Sequence, residues 1–131
     1  MDLNSGHGLI DMYYSLLEGI IFNLYHCYAL LTELMAVPEK ILVSGGIVRC
    51  SFWVQMLADI FQKEMIISST DHVSLLGVVE LLHKSLNLNQ GIGLEPLEDG
   101  GFISPNKEMR STYKKRFERY KDLYNNTVAS N

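Results

Sequence analysis

The sequence predicts an α/β fold built on a short parallel sheet, and three observations carry that expectation. Two brief apolar runs, Ile41-Leu42-Val43 and Met65-Ile66-Ile67, each close on serine or glycine, as buried strands do. A helical pattern of about ten residues separates them, the spacing of a right-handed crossover between parallel strands. Longer helical stripes lie before the first run and after the second, giving the order helix, strand, helix, strand, helix.

The first helix is written in apolar residues at Tyr13, Leu16, Leu17, Ile20, Ile21, Leu24, Cys27, Tyr28, Leu31, Leu34 and Met35, at steps of three and one. It is expected to run about 25 residues, about 37 Å, from a cap at Asp11 until Pro38 blocks it. Ile10, Phe22, Tyr25 and Leu30 lie off that stripe, so a large neighbour covering more than one side is implied. The first strand ends in Ser44-Gly45-Gly46, and Ser51 can cap a helix carrying Trp53, Met56, Leu57, Ile60 and Phe61. After the second strand, Ser68 to Asp71 lead into a helix over 73–86. Residues 87–105, rich in Asn, Gly and Pro, read as a loop. A terminal helix over 106–125 sets Tyr113, Phe117, Tyr120 and Tyr124 on one narrow face, where they pin it to the rest with Lys114, Lys115 and Arg119 solvated beyond. Two strands of three to five residues are too small a sheet for three helices, and open apolar strand edges are avoided. Something that completes the sheet is expected to lie outside this chain, so 1–131 reads as a single partial domain.

With 131 residues, 47% of them hydrophobic and 20% charged, the chain has the composition of one domain folding round a core. No apolar run reaches the eighteen or so residues of a bilayer span, and the N-terminus has no cationic stretch followed by an apolar one. A cytoplasmic protein without membrane or export segments is the expectation. Cys27 and Cys50 show no CxxC or paired-His spacing and are expected as packing thiols. The net charge of −4 is uneven: 1–106 carry four cations and twelve anions, whereas 107–131 carry seven cations and three anions. A single basic tail on an acidic chain argues against nucleic acid, whose binders spread basic character over a face of the domain.

The stretch most able to hold a ligand is ILVSGGIVRCSFWVQMLADIF, 41–61. In open α/β sheets ligands gather at the carboxyl ends of strands, where glycine lets backbone take positive φ and a flat ring approach closely. Taken alone, Gly45 and Gly46 serve as a plain strand-to-helix turn or as a nucleotide contact, and the turn is the commoner use. The run has neither the third glycine of a dinucleotide fingerprint nor the GxxxxGK[ST] of a triphosphate loop.

In order, a strand, the pair Gly45-Gly46, Cys50, Trp53-x-Gln55 and Ala58-Asp59 resemble the adenosine segment of the FGGY carbohydrate kinases. LLEGIIFNLY (16–25) is similar to the helix before that strand in the family, SLLGVVELL (74–82) to its Ser-x-x-Gly-Ala-Ala helix, and YKKRFERYKDLY (113–124) to its Tyr-rich terminal helix. LEGIIFNLY leans towards gluconate kinases, with xylulose kinases next. The resemblance implies an incomplete ribonuclease H-like, actin-like ATPase domain, the C-terminal lobe that holds the adenosine of ATP. It places Gly46 against the adenine, Gly45 in the turn, Cys50 beside the base and Arg49 at the mouth. Cys50 departs from the Ser or Asn that relatives often carry there, and a thiol is a weaker donor. Val78 and Val79 replace the small Ala pair and add bulk to what is expected to be a packed helix.

The family's Asp-x-Gly-Thr phosphate loop does not occur in this sequence, and the resemblance puts the catalytic Asp, the sugar lobe and most of the Mg2+ ligands in the N-terminal kinase lobe. No catalytic residue is therefore expected here. The chain alone should be inactive, acting with ATP or ADP and with that lobe. A rival expectation is a non-enzymatic module that associates through its exposed sheet edge, as a homodimer or with another partner. Among the remaining candidates, Gln55 and Asp59 share a helix face and are expected to bond locally, and Trp53 belongs to the core. His7, His26, His72 and His83 form no metal or catalytic pattern.

Overall fold

A computed structural model describes residues 6, 8–69, 73–87 and 99–128. The elements run α1 (Leu9–Thr32), β1 (Lys40–Val43), α2 (Ser51–Phe61), β2 (Glu64–Ser68), α3 (Val73–Ser85), β3 (Asp99–Ile103) and α4 (Arg110–Val128). The expected order of helices and strands is present, with β1 and β2 parallel and in register from Lys40↔Glu64 to Val43↔Ile67. The class is α/β.

The sheet itself corrects the expectation. It has three strands in the order β1-β2-β3, and the third, antiparallel to β2, comes from the segment read as the loop 87–105. Its pairing runs Met65↔Ile103, Ile66↔Phe102 and then Ser68↔Asp99, so β3 spends one extra residue in a bulge. Gly100 and Gly101 build that bulge. A Cβ at Gly100 would stand 3.1 Å from the Ile67 carbonyl oxygen, and Gly101 has φ 118°. Glycines that read as loop punctuation are here what lets a strand bend close to its neighbour. Residues 88–98 of that segment lie outside the described residues.

The core forms where α1, α2 and α4 meet the sheet, around Ile21, Phe22, Val54, Met56, Met65 and Tyr113. It uses only part of the stripe expected on α1, at Leu17 and Ile21, and adds Phe22 and Tyr25 from beside it. Ile21 and Phe22 are buried with Tyr14, Leu17 and Tyr25 beside them, whereas Tyr13, Leu16, Ile20, Leu24 and Leu31 are exposed. An α1 apolar on more than one side had to choose a face. The chosen face is the one that Phe61, Phe117 and Tyr120 can fill with rings: Tyr25 meets Phe117 at 4.8 Å and Phe61 at 5.1 Å, and Phe22 meets Phe117 and Tyr120 at 5.7 Å. Such pairs contribute about 1 kcal/mol each beyond area burial.

The helix ends differ from expectation by small shifts of role. Asp11 is not the cap of α1 but sits inside its first turn, accepting the Gly8 N–H at 2.9 Å. Ser51 is the first residue of α2, and Cys50 is its cap. The terminal segment enters through a 3-10 turn, Lys107–Met109, whose cap Asn106 accepts the Glu108 N–H at 3.0 Å before α4 begins. Tyr113 and Phe117 bury this helix as expected, and Arg116 adds an ion pair with Glu18 at 2.7 Å. On α3, Val78 is exposed together with Leu75, Leu81 and Leu82, so its bulk does not press on a packed interface among the described residues. Leu42 is also exposed, making β1 an edge strand buried at Val43 alone.

Candidate functional site

Val43 is the last buried residue of β1, and the chain then turns out to the surface at the carboxyl end of the strand. Gly45 has φ 83° and ψ −160°, a conformation that L side chains rarely adopt. Gly46 opens a 3-10 turn, Gly46–Arg49, closed by the Val48 N–H donating to the Gly45 carbonyl at 3.2 Å and the Cys50 N–H to the Ile47 carbonyl at 3.0 Å. Ile47 and Val48 pack against the core and anchor the turn. Cys50 is extended, and its carbonyl starts α2 by accepting the Trp53 and Val54 N–H groups at 3.0 and 3.1 Å.

The structure thus brings Gly45, Gly46, Arg49 and Cys50 into one exposed turn. A Cβ at either glycine would meet nothing within 4 Å, so the peptide there faces open space. The two differ in one respect: Gly45 needs its left-handed backbone, and Gly46 does not. At Gly46 the missing side chain is therefore a feature of the surface and not of the fold. Cys50 is exposed and so is Cys27, which corrects the reading of both as packing thiols. One sits at a helix start on the surface, the other on the face of α1 that the core did not take.

The polar residues on α2 have a structural use. Asp59, expected to bond locally, is buried; one carboxylate oxygen accepts Gln55 Nε2 at 2.8 Å and the Asn106 N–H at 2.7 Å. Gln55 Nε2 also donates to the Ser104 carbonyl at 3.1 Å, and Gln62, left-handed at the end of α2, donates from Nε2 to the Asp59 carbonyl at 2.7 Å. Residues 104–106 are stapled to α2 by this network, which aims α4 back across α1. The spacing of Gln55 and Asp59 showed a shared face; that their partner lies 47 residues on was not legible. Trp53 packs against the core as expected, its ring N–H buried without a partner among the described residues. Phe52 stays exposed and meets Tyr14 at 5.4 Å.

His26 packs edge-on against Tyr124 at 5.3 Å, and His7 and His72 lie outside the described residues. Among the described residues, no three His, Cys, Asp or Glu side chains gather where a metal ion could be held, and no helix is long and apolar enough to cross a membrane.

Comparison with known proteins puts this turn in context. Residues 1–83 match the C-terminal domain of the FGGY family of carbohydrate kinases. A gluconokinase of Bacillus licheniformis is 40% identical over 76 residues, 57% of this chain and 15% of that protein. Crystal structures of a gluconate kinase and of a ligand-bound xylulose kinase, both from Lactobacillus acidophilus, superpose with TM-scores of 0.76 and 0.77 at 28% identity. Each alignment covers 99% of this chain and 27% of the other. The chain thus spans about a quarter or less of the length of these relatives. The matched segment carries β1, the glycine turn and α2 together, and the chain belongs to the FGGY family of carbohydrate kinases as its C-terminal domain.

Proposed function

We propose that this chain supplies the adenosine-binding surface of an ATP-dependent sugar kinase, with gluconate as the sugar acid phosphorylated by the complete enzyme. The observation that carries the reading is the bare backbone at Gly46, at the carboxyl end of the first strand of a parallel pair. A purine can lie flat there at van der Waals distance, which any side chain would prevent. Gly45 shapes the turn, Cys50 edges the base, and Arg49, exposed at the end of the 3-10 turn, stands at the mouth. Gluconate is favoured because the gluconokinase alignment over 76 residues reaches 40% identity.

ATP supplies the transferable γ-phosphoryl group. This chain's own residues bind and orient the nucleoside and, when a sugar lobe closes over them, exclude water from it. The Asp-x-Gly-Thr loop does not occur in this sequence, and Mg2+ and the catalytic base are assigned to the lobe that this chain does not contain. Alone it transfers no phosphoryl group. ATP or ADP and that lobe are its partners, and a cytoplasmic setting accords with them.

Calorimetric titration of the chain with ATP tests the reading. Weak binding is expected, and Gly46→Val should weaken it about tenfold or more, about 1.4 kcal/mol, with thermal unfolding unchanged because the position has open space around it. ATP affinity equal in the variant and the parent would place the nucleotide elsewhere.

A further inference from the structure

A cavity opens at the end of the sheet opposite the glycine turn. It has a volume of about 810 Å³, within the range of small-molecule sites, between the last turn of α2 and the start of α4. Lys63 and Pro105, which follow the end of α2 and β3, are part of its lining, next to the amino end of β2 and the carboxyl end of the antiparallel β3. The five residues of β2 separate that end of the sheet from the glycine-turn end by about 15 Å, at about 3.3 Å per residue.

Its lining combines two chemistries. Tyr25, Phe61, Tyr113 and Phe117 line an aromatic wall, in which Tyr25 packs ring against ring with Phe61 and Phe117. Around that wall stand Lys63, Lys107, Arg110 and Lys114. None of the four has a carboxylate partner among the described residues, although the chain is acidic overall with a net charge of −4. Glu118, the carboxylate in the lining, is engaged by Lys121 at 2.8 Å. Elsewhere Lys40, Lys84 and Arg116 are paired with Glu64, Glu80 and Glu18. Four cations from two segments far apart in sequence line one concave aromatic surface, and their like charges favour an anion there.

We propose that this cavity is a binding site for a small organic phosphate, its phosphate held by Lys63, Lys107, Arg110 and Lys114 and its apolar or planar body laid on Tyr25, Phe61 and Phe117. Arg110 offers the bidentate donor pair that a phosphate oxygen edge accepts, and the lysines supply point charge. The site is independent of the glycine turn and does not rest on the nucleotide reading.

The test is titration of the 131-residue chain with 1-naphthyl phosphate, inorganic phosphate and uncharged 1-naphthol. The naphthyl phosphate should bind at least tenfold more tightly than either of the others, and more weakly as salt is raised. Lys63→Gln combined with Arg110→Gln should weaken it about tenfold, and Lys107→Gln with Lys114→Gln should act in the same direction. Circular dichroism confirms that each variant is folded. Gly46→Val should leave the affinity unchanged, and adenosine should not displace the probe. Equal binding of naphthol, affinity unchanged in both double variants, loss on Gly46→Val, displacement by adenosine, or no binding of any probe would each overturn the proposal.

Discussion

Gly45 and Gly46 are neighbours of one residue type, yet the backbone gives them different tasks. Gly45, at φ 83°, satisfies the chain; Gly46, with ordinary backbone and empty space beyond it, leaves a surface bare. Gly45→Ala should therefore lower stability by about 1 kcal/mol or more, whereas Gly46→Ala should change it little, as chemical denaturation will show. The tyrosines give a second residue-level prediction. Burial chiefly, and then the hydrogen bond with Tyr14 at 3.0 Å, holds the Tyr113 hydroxyl well above the usual phenol range; burial raises Tyr28 and Tyr120 as well. A folded pKa above the unfolded value of about 10 leaves stability whole below that pH and removes it as pH rises towards the folded value. The midpoint of thermal unfolding should thus fall above pH of about 10. Tyr113→Phe should make that fall shallower while costing about 1 kcal/mol at neutral pH. The glycine pair and its place after a strand were legible as a turn, and the left-handed backbone of Gly45 is what requires one of the two. Asp59 was not, since its partners Ser104 and Asn106 are brought to it only by the fold.

Among the elements, those with one clear period were readable and those with a choice of faces were not. α4 buries Tyr113 and Phe117 because its stripe has one side, whereas α2 buries Met56, Leu57 and Ile60 of its stripe and also Val54, Ala58 and Asp59, being enclosed on more than one side. α1 is apolar over too wide an arc for period alone to say which side turns inward. β3 escaped notice because its glycines bend a strand at a bulge, and short Gly-rich segments carry no alternation to count. α4 is held by rings whose loss leaves a gap between α1 and α2. Phe117→Ala should cost about 3 kcal/mol or more, since Phe22, Tyr25 and Tyr120 all lean on that ring. Hydrogen exchange should show 104–128 opening before the sheet does; uniform protection across chain and variant would mean that the helix is held by something else.

At the scale of the molecule, the chain is a C-terminal FGGY domain spanning 27% of the solved kinases it superposes on. Leu16, Leu24 and Leu31 on α1, and Leu75, Leu81 and Leu82 on α3, are exposed apolar residues. The expectation that what completes the two-stranded sheet lies outside this chain is corrected, since the chain supplies the third strand itself, while β1 stays an edge. What the account most depends on is where adenosine rests. Amide chemical shifts recorded as adenosine, without any phosphate, is titrated into the chain measure this directly. The account predicts changes centred on 44–50, with 107–118 silent. Changes gathered at 107–118, or none at 44–50 under saturating adenosine, would contradict it.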